Sequence, residues 1–337
     1  MKNSENTVKW GILGAAWIAN ERVIPAIHKA ENAEVIAIAS RTQEKAEQLA
    51  KAHSIPKAYG SYEALLDDPE INAVYIPLPN HLHLEWTQKA AAAGKHVLCE
   101  KPAALSEAQA HQMVEVCTKN NVLFMEAFAF RCHPKWQEIR ALLDQGEIGS
   151  IQNVSARYSF QVLKDDDIRL NAAYGGGALY DIGCYCIQGI RLIMNAEPET
   201  FTAIPQLTSD GAVDQAMTVA MKFPGGRLAT IDCTIRGSYN QSIEITGTEG
   251  LMRIEFPYQH PSVSITKNGK INSSVFEYQT NAYAAQIEHF SECVLEGRPS
   301  AILPAEDAIL NMRVIDKIYS AAGMRQSKNQ GQETNGR

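Results

Sequence analysis

The stretch Val8-Lys9-Trp10-Gly11-Ile12-Leu13-Gly14-Ala15-Ala16-Trp17-Ile18-Ala19 begins as an apolar strand and passes through small residues into a helix. In the pattern Gly-x-Gly-x-x-Gly/Ala, Gly14 takes the first position, Ala16 the second and Ala19 the third. The second position must let the backbone approach a pyrophosphate, and alanine is the smallest departure from glycine there. The turn therefore predicts a dinucleotide site, with a tight turn that binds nothing as the alternative. The residues expected to contact the cofactor here are Gly14, Ala15, Ala16, Trp17 and Ile18.

Short apolar runs alternate with longer amphipathic stretches from residue 8 to about residue 126. A repeated order of strand and helix predicts a doubly wound parallel sheet of the Rossmann type. The expected strands are 8–13, 34–40, 73–76, 96–99 and 122–125. The expected helices include 42–52, 81–93 and 106–119, the last of which begins with a capping box of Ser106 and Gln109.

The pattern changes after about residue 150, where strand-like runs are joined by short turns. These turns, Phe223-Pro224-Gly225-Gly226, Thr248-Glu249-Gly250 and Asn268-Gly269, are typical of hairpins and predict a largely antiparallel sheet. The expected strands are 151–160, 216–223, 227–235, 242–246, 252–256 and 263–266, and the expected helices are 178–194, 281–295 and 305–322. The fold class is therefore α/β, with domains at 1–126 and 127–325 and a flexible tail at 326–337.

Composition narrows the class of protein. The 337 residues, of which 45% are hydrophobic and 20% charged, suffice for about two packed domains. A net charge of −7 without a basic cluster argues against nucleic acid, and no apolar run reaches membrane-spanning length. Residues 1–7 are polar and show no signal-peptide core. Seven scattered cysteines without a Cys-x-x-Cys pair favour reduced thiols in the cytoplasm.

The end of the second expected strand concerns the choice of cofactor. An NAD site usually places an acidic residue there, on the ribose. In this chain the strand ends Ile38-Ala39-Ser40-Arg41-Thr42, with Lys45 one helical turn later and no carboxylate. A small hydroxyl followed by arginine suits a 2′-phosphate, since Ser40 donates a hydrogen bond and Arg41 pairs with the charge. We therefore expect NADP(H) rather than NAD(H), with a surface arginine at a helix start as the alternative.

The run Tyr75-Ile76-Pro77-Leu78-Pro79-Asn80-His81-Leu82-His83 follows the third expected strand, and its prolines make a rigid edge to a ligand crevice. Asn80 is expected to cap the following helix, and His83 to lie near the nicotinamide. Although the two histidines lie two residues apart, no acid or cysteine completes a ligand set, so no metal is expected. The residues of this edge expected to contact the cofactor are Leu78, Pro79, Asn80 and His83.

Lys101 ends the apolar run His96-Val97-Leu98-Cys99-Glu100-Lys101-Pro102. The carboxyl ends of strands point at the ligand crevice of an α/β sheet, and Pro102 helps to hold an irregular turn there. A lysine in this place would carry a proton or stabilise a developing alkoxide. A solvated lysine at a strand end is the alternative. Glu100 and Lys101 are both expected to border the cofactor.

Four motifs follow one another along the chain: Trp10-Gly11-Ile12-Leu13-Gly14, Pro79-Asn80-x-x-His83, Glu100-Lys101-Pro102 and Gly175-Gly176-Gly177-Ala178-Leu179-Tyr180-Asp181-Ile182-Gly183-Cys184-Tyr185. Together they resemble the glucose–fructose oxidoreductase / inositol dehydrogenase / rhizopine catabolism protein family over residues 8–322. The resemblance implies a Rossmann domain, an α/β domain with a large open sheet, and a tightly bound nicotinamide cofactor. It also implies that Lys101 is catalytic and binds substrate, and that the Lys101–Pro102 bond is cis.

Tyr185 stands where many members of that family have a histidine, four residues after the Asp of the glycine-rich motif. A tyrosine there resembles the branch with dimeric dihydrodiol dehydrogenase and NADP-dependent xylose dehydrogenase, which tends to use NADP. Asp181 and Tyr185 share one face of a predicted helix. Our hypothesis is that Tyr185 is the general acid/base, that Lys101 lowers its pKa, and that Asp181 holds the substrate or orients Lys101. A helix acid beside a half-buried aromatic is the alternative.

The run Phe124-Met125-Glu126-Ala127-Phe128-Ala129-Phe130-Arg131-Cys132-His133-Pro134 resembles the family's E-A-x-x-x-R-x-x-P crossover. Glu126 and Arg131 are expected to pair with each other, with substrate binding as the alternative. Further aromatic residues are expected to form walls for a sugar, with core packing an equal alternative. They are Tyr158, Phe160 and Tyr174.

The resemblance and the residues together predict NADP(H)-dependent hydride transfer to or from the CH–OH/C=O group of a sugar, polyol or related diol. The alternatives on the same scaffold are a trans-dihydrodiol dehydrogenase and a glycosidase that uses transient oxidation by NAD. The third alternative is a non-catalytic sensor that binds NADP and a protein partner. The presence of Lys101, Asp181 and Tyr185 argues against this alternative.

Alternation along the strands of the second sheet predicts two unlike faces. The face expected to pack on the protein's own helices carries Met217, Val219, Met221, Phe223, Ala229, Ile231 and Ile235. The opposite face carries Ala216, Thr218, Ala220, Leu228 and Thr230, with Lys222 and Asp232. A face so poor in charge, together with the family resemblance, predicts a homodimer or homotetramer through this sheet. A solvated, threonine-rich face is the alternative.

Overall fold

Six parallel strands form the first sheet. They are β1 (Val8–Leu13), β2 (Ala33–Ala39), β3 (Lys57–Tyr59), β4 (Ala73–Ile76), β5 (His96–Cys99) and β6 (Phe124–Glu126). Their spatial order, β3-β2-β1-β4-β5-β6, reverses between β1 and β4, which creates a crevice at the carboxyl ends of the strands. The predicted doubly wound sheet is thus confirmed. The sequence prediction missed β3, an edge strand whose three residues are only half-buried.

The structure, a computed structural model, describes residues 6–274 and 280–324, so the predicted tail at 326–337 lies outside the described residues. The helices of the first domain are α1 (Ile24–Lys29), α2 (Gln43–His53), α3 (Tyr62–Leu66), α4 (His83–Ala92) and α5 (Glu107–Lys119). A π-helical turn, Ala19–Val23, leads into α1. At the start of α5 the Ser106 hydroxyl accepts a hydrogen bond from the Gln109 backbone (3.2 Å). The Gln109 side chain accepts from Leu105 N (3.0 Å) rather than from Ser106, so half of the predicted capping box forms.

Eight strands form the second sheet, in the order β14-β13-β12-β11-β7-β10-β9-β8. They are β7 (Ile151–Gln161), β8 (Thr200–Leu207), β9 (Asp214–Lys222), β10 (Leu228–Thr234), β11 (Arg236–Gly247), β12 (Leu251–Glu255), β13 (Ser262–Lys267) and β14 (Lys270–Ser274). All neighbours are antiparallel except β7 and β10. The sequence prediction missed β8 and β14, which are the two edge strands. β8 contains Pro205, a residue that sheets tolerate at an edge, and β14 is largely polar.

The two faces of the second sheet differ as predicted. Met217, Val219 and Met221 are buried against the helices of the same domain, as are Ala229 and Ile231 on β10. On the other face Thr218, Ala220, Lys222 and Leu228 are exposed in the single chain.

The remaining helices are α6 (Lys135–Asp144), α7 (Cys184–Met194), α8 (Ala282–Glu296) and α9 (Ala305–Ala321), with a π-helical turn, Leu179–Gly183, before α7. The last two helices return to the first domain. The indole N–H of Trp10 donates to the Ser291 hydroxyl (3.2 Å), and Asp316 accepts from the backbone of Glu107 (2.9 Å). The two domains are therefore joined by packing as well as by the chain. No helix within the described residues is long and apolar enough to cross a membrane.

Candidate active site

Lys101 and Asp181 meet across the domain boundary. The Lys101 ammonium donates to the carboxylate oxygen Oδ1 of Asp181 (3.1 Å) and to its backbone carbonyl (2.8 Å). Burial alone would lower the pKa of Lys101, but the negative charges of Asp181 and Glu100 outweigh burial and raise it. Lys101 is therefore a charged ammonium at the carboxyl end of β5, and its bond to Pro102 is cis as expected.

Arg169 is a member of this site that the sequence analysis missed. Its Nε donates to Asp181 Oδ2 (2.7 Å), and its Nη1 donates to Asp167 (3.1 Å). Burial would raise the pKa of Asp181, but the cations Lys101 and Arg169 lower it, so the carboxylate stays ionised. Asp181 thus orients the two cations, which supports its expected role of positioning Lys101.

Tyr185 lies on the same helical segment as Asp181, and the Lys101 ammonium is 5.1 Å from the centre of its ring. The three residues singled out from the sequence therefore come together. Burial raises the pKa of the Tyr185 phenol well above its ordinary value. The expectation of a lowered pKa is wrong, because burial and the negative charge of Glu100 raise the pKa of this phenol although the Lys101 ammonium lies nearby. Tyr185 is a neutral phenol at neutral pH.

Aromatic rings surround Tyr185. Their centroids lie 5.2 Å (Tyr258), 5.3 Å (Phe128), 5.7 Å (Tyr158) and 6.1 Å (Phe130) from that of Tyr185. Of the predicted walls, only Tyr158 lies against the Tyr185 ring. Phe160 lies beneath the Arg169 guanidinium (5.6 Å), and Tyr174 stacks on His81 (4.9 Å).

Asp214 anchors the start of the helix that carries Asp181 and Tyr185. Its carboxylate accepts from Leu179 N (2.8 Å) and from the Tyr319 hydroxyl (2.8 Å). Gly177 lies against it with a φ of +133°, and a side chain there would collide with the Asp214 carboxylate. Burial raises the pKa of Asp214 to about 6. No sequence pattern indicates this role, since Asp214 and Leu179 are far apart in the chain.

The turn after β1 fits the pyrophosphate of a dinucleotide. Gly14 has a φ of +132°, a conformation that favours glycine, and a Cβ there would lie only 3.0 Å from a methyl group of Leu78. The turn opens the first helix, whose N-terminal N–H groups suit an anion. Trp17 at this helix start is 66% exposed, whereas Trp10, Trp86 and Trp136 are buried.

Ser40, Arg41 and Lys45 stand where the ribose end of the cofactor would lie. Ser40 is buried directly after β2, and its N–H donates to Tyr59 O (3.1 Å). Arg41 and Lys45 are exposed, and neither forms a salt bridge with any residue that the structure describes. Two uncommitted cations beside a buried hydroxyl fit a 2′-phosphate.

The side chains of Asn80 and His83, in the segment that follows β4, both lie against backbone carbonyl groups. Asn80 does not cap a helix with its side chain; its Nδ2 donates to the carbonyl of Gly175 (2.9 Å) in the second domain. His83 is fully buried. Its ring nitrogens lie 2.7 Å from the carbonyl oxygen of Leu78 and 3.0 Å from that of Pro102. His83 therefore contacts both the Leu78 turn and the Lys101–Pro102 turn.

Glu100 is also committed to neighbouring protein groups. The Tyr75 hydroxyl donates to its Oε1 (2.5 Å), and the Lys101 N–H donates to its Oε2 (3.2 Å). Burial raises the pKa of Glu100, against the opposing effect of Lys101. No group of three or more metal-ligating side chains occurs in the described part of the chain.

Glu126 and Arg131 do not pair, contrary to expectation. Arg131 donates to Gln188 (2.8 Å) and to the carbonyl of Ile302 (2.7 Å). Glu126 instead accepts from the N–H of Ala103 (2.8 Å), two residues beyond Lys101. Its other oxygen is buried without a partner in the described structure, and burial raises its pKa to about 8.

The raised pKa of Glu126 predicts a stability that depends on pH. Folding favours its protonated form, so this stabilisation is complete below about pH 4.5 and is lost as pH rises towards 8. Glu126→Gln keeps the acceptor for Ala103 but cannot ionise. The free energy of unfolding of the variant relative to wild type should therefore increase by on the order of 3 kcal/mol between about pH 5 and about pH 8. Urea unfolding at the two pH values measures it, and a constant difference would contradict the buried, neutral carboxyl.

Comparison with known proteins agrees with this geometry. Residues 8–128 match the model of an oxidoreductase family with an NAD-binding Rossmann fold, and residues 136–253 match the GFO/IDH/MocA C-terminal domain. The chain is 35% identical to trans-1,2-dihydrobenzene-1,2-diol dehydrogenase of Xenopus tropicalis, over 94% of this chain and 98% of that protein. It is 34% identical to D-xylose 1-dehydrogenase (NADP(+)) 2 of Haloferax volcanii, over 93% and 97%.

A solved structure extends the comparison to three dimensions. It is a 3-ketoreductase from Actinomadura kijaniata in complex with NADP and TDP-benzene, with a TM-score of 0.89 and 31% identity, over 94% of this chain and 98% of that one. Both domains are thus matched by fold and by sequence. The chain belongs to the GFO/IDH/MocA family of oxidoreductases.

Proposed function

We propose that the protein is an NADP(H)-dependent oxidoreductase that moves a hydride to or from the CH–OH/C=O group of a sugar, polyol or related diol. The observation that carries the proposal is the partly buried Lys101–Asp181 ion pair beside Tyr185, at the carboxyl edge of the Rossmann sheet. The relatives named for xylose and for a dihydrodiol support the substrate class.

Each side chain of the site has a separate role in the proposed reaction. Bound NADP(H) supplies or accepts the hydride. The Tyr185 hydroxyl donates a proton to the substrate oxygen during reduction and takes it back during oxidation. The Lys101 ammonium stabilises negative charge on that oxygen, and Asp181 with Arg169 fixes the ammonium in place. Because the phenol is neutral at neutral pH, it carries the proton that reduction of a carbonyl requires.

The cofactor is expected to be NADP(H), held by Ser40, Arg41 and Lys45 at its 2′-phosphate and by the turn of Gly14 at its pyrophosphate. The relative named as an NADP(+) enzyme and the structure with bound NADP support this choice. Since the site offers cations and no acid to the ribose, kcat/KM with NADP+ should exceed that with NAD+ by about a hundredfold or more. Steady-state kinetics with a panel of aldoses, polyols and diols measures kcat/KM with each of the two cofactors. A higher kcat/KM with NAD+ would contradict the assignment of NADP(H) as the cofactor.

Dihydrodiol oxidation is the second candidate, and the aromatic surroundings of Tyr185 favour it. Rings such as Phe128, Tyr158 and Tyr258 suit a flat carbocycle as well as a sugar. The same panel decides between them, since a sugar enzyme turns over aldoses with the higher kcat/KM.

We also propose that the protein forms a homodimer or homotetramer in the cytoplasm. The open face of the second sheet, with Thr218, Ala220 and Leu228 exposed, supports assembly into a homo-oligomer. The seven free, buried thiols support the proposal that the protein resides in the reducing cytoplasm. A monomer in sedimentation would contradict the assembly.

A further inference from the structure

Two exposed aromatic side chains stand next to the site, and the proposed chemistry does not use them. Tyr239 on β11 is 52% exposed, and Phe256 directly after β12 is 45% exposed. Their rings are nearly parallel, at 17°, with centroids 6.4 Å apart. Single exposed apolar side chains are common, but a contiguous pair of stacked rings open to solvent is a candidate binding surface.

The backbone of Phe256 adds an independent sign of function. Its φ is +49°, in the left-handed region that a bulky side chain avoids. Hydrogen bonds hold it there on both sides: its N–H donates to Gln241 O (3.0 Å), and its carbonyl accepts from Gln259 N (3.1 Å). Strain of this kind persists where the surrounding structure fixes it, commonly at binding sites. Here it places an aromatic ring at the surface beside Tyr239.

A line of rings joins this pair to the catalytic centre. Tyr239 packs edge-on against Tyr158 with centroids 6.5 Å apart, and Tyr158 lies 5.7 Å from Tyr185. Tyr185 in turn lies under the Lys101 ammonium. One ring, that of Tyr158, therefore separates Tyr239 from Tyr185.

We infer that Tyr239 and Phe256 form a second sugar subsite, so that the substrate is a disaccharide or glycoside whose outer ring stacks on this pair. The inference rests on the proposed function, because it assumes a sugar unit at Lys101. A pyranose offers apolar C–H faces to an aromatic ring and hydroxyl groups to its rim. The pair offers the matching chemistry, since both side chains are uncharged and the phenol of Tyr239 supplies a polar edge.

Binding of unreactive glycosides tests the subsite apart from catalysis. Methyl β-glucoside, methyl β-cellobioside and methyl α-maltoside have blocked anomeric carbons, and their Kd values for the protein with NADPH are measured by calorimetry. A disaccharide should bind wild type about tenfold more tightly than the monosaccharide, a typical effect of one stacked ring. Phe256→Gly and Tyr239→Ser should each remove most of that gain and leave the monosaccharide Kd unchanged. Phe256→Gly also relieves the positive φ, so it should not lower the Tm.

The control is Leu295→Ser. Leu295 is an exposed apolar residue that lines a cavity with Val8, Lys95 and His96, at the opposite, amino end of the strands. It should leave all three Kd values unchanged. Equal Kd values for monosaccharide and disaccharides in wild type, or equal losses for both in the variants, would overturn the subsite. Tighter binding of phenyl β-glucoside than of either disaccharide would overturn the choice of a sugar ring. Failure of the proposed function gives a different result. In that case the protein would turn over no sugar, whether or not it binds the glycosides.

Discussion

Lys101→Met should lower kcat by about a thousandfold while the protein still binds NADP+. The variant removes the ammonium proposed to stabilise the substrate oxygen, and it leaves Asp181 paired with Arg169, so the carboxylate keeps one cation. Turnover is followed by NADPH absorbance. Binding is followed by fluorescence of Trp17, the exposed tryptophan at the pyrophosphate turn.

Lys95→Met is the matched control. Lys95 is buried, and its ammonium donates to the backbone carbonyls of Asp68 (2.7 Å) and Ile71 (2.9 Å), away from the crevice. Both variants lose a lysine whose ammonium is hydrogen-bonded within the protein and should lower the Tm, but only Lys101→Met should lower kcat. A kcat that falls equally in both would show that stability, rather than chemistry, explains the effect of Lys101.

Tyr185→Phe should also lower kcat by about a thousandfold, because it removes the group proposed to move the proton. The ring stays, so the packing with Phe128 and Tyr258 is kept and the Tm should change little. Tyr258→Phe is the control, since it removes a phenol hydroxyl from the neighbouring ring and should leave kcat nearly unchanged. Near-normal turnover by Tyr185→Phe would remove this residue from the proton transfer.

The pH profile gives a second measure of Tyr185. Its pKa is raised, so the ionised form that accepts a proton is scarce at neutral pH and grows about tenfold with each unit of pH. The rate of alcohol oxidation by wild type should therefore rise with pH. The rate of Tyr185→Phe should lose that dependence, and an unchanged profile would assign the titration to another group.

The sequence predicted most of the fold because the decisive signals are local. The apolar run of β1 predicts that strand, and the small residues after it predict the turn at Gly14. The glycine-containing turns predict the hairpins of the second sheet. The missed strands, β3, β8 and β14, all lie at sheet edges. An edge strand buries too little apolar surface to show clear alternation, so its place depends on the neighbour that it pairs with.

The site was predicted in part for a similar reason. Lys101 was indicated by its place at a strand end. Asp181 and Tyr185 were indicated by the family resemblance together with their helical spacing, and the structure brings the three residues together. Arg169 and Asp214 act through partners distant in the chain or on a loop, and no spacing rule indicates such contacts. The errors at Asn80 and Glu126 share one cause. Each side chain hydrogen-bonds a backbone group, which leaves no mark in the sequence.

The most direct test is a single turnover of wild type and Lys101→Met, each saturated with NADP+ and mixed rapidly with an aldose that wild type oxidises. Product release does not limit the first turnover, so the rate of NADPH formation reports the chemical step at the Lys101–Asp181–Tyr185 centre. Wild type should form one NADPH per site in a fast phase. Lys101→Met should form it about a thousandfold more slowly. Equal fast phases in the two proteins would contradict the account.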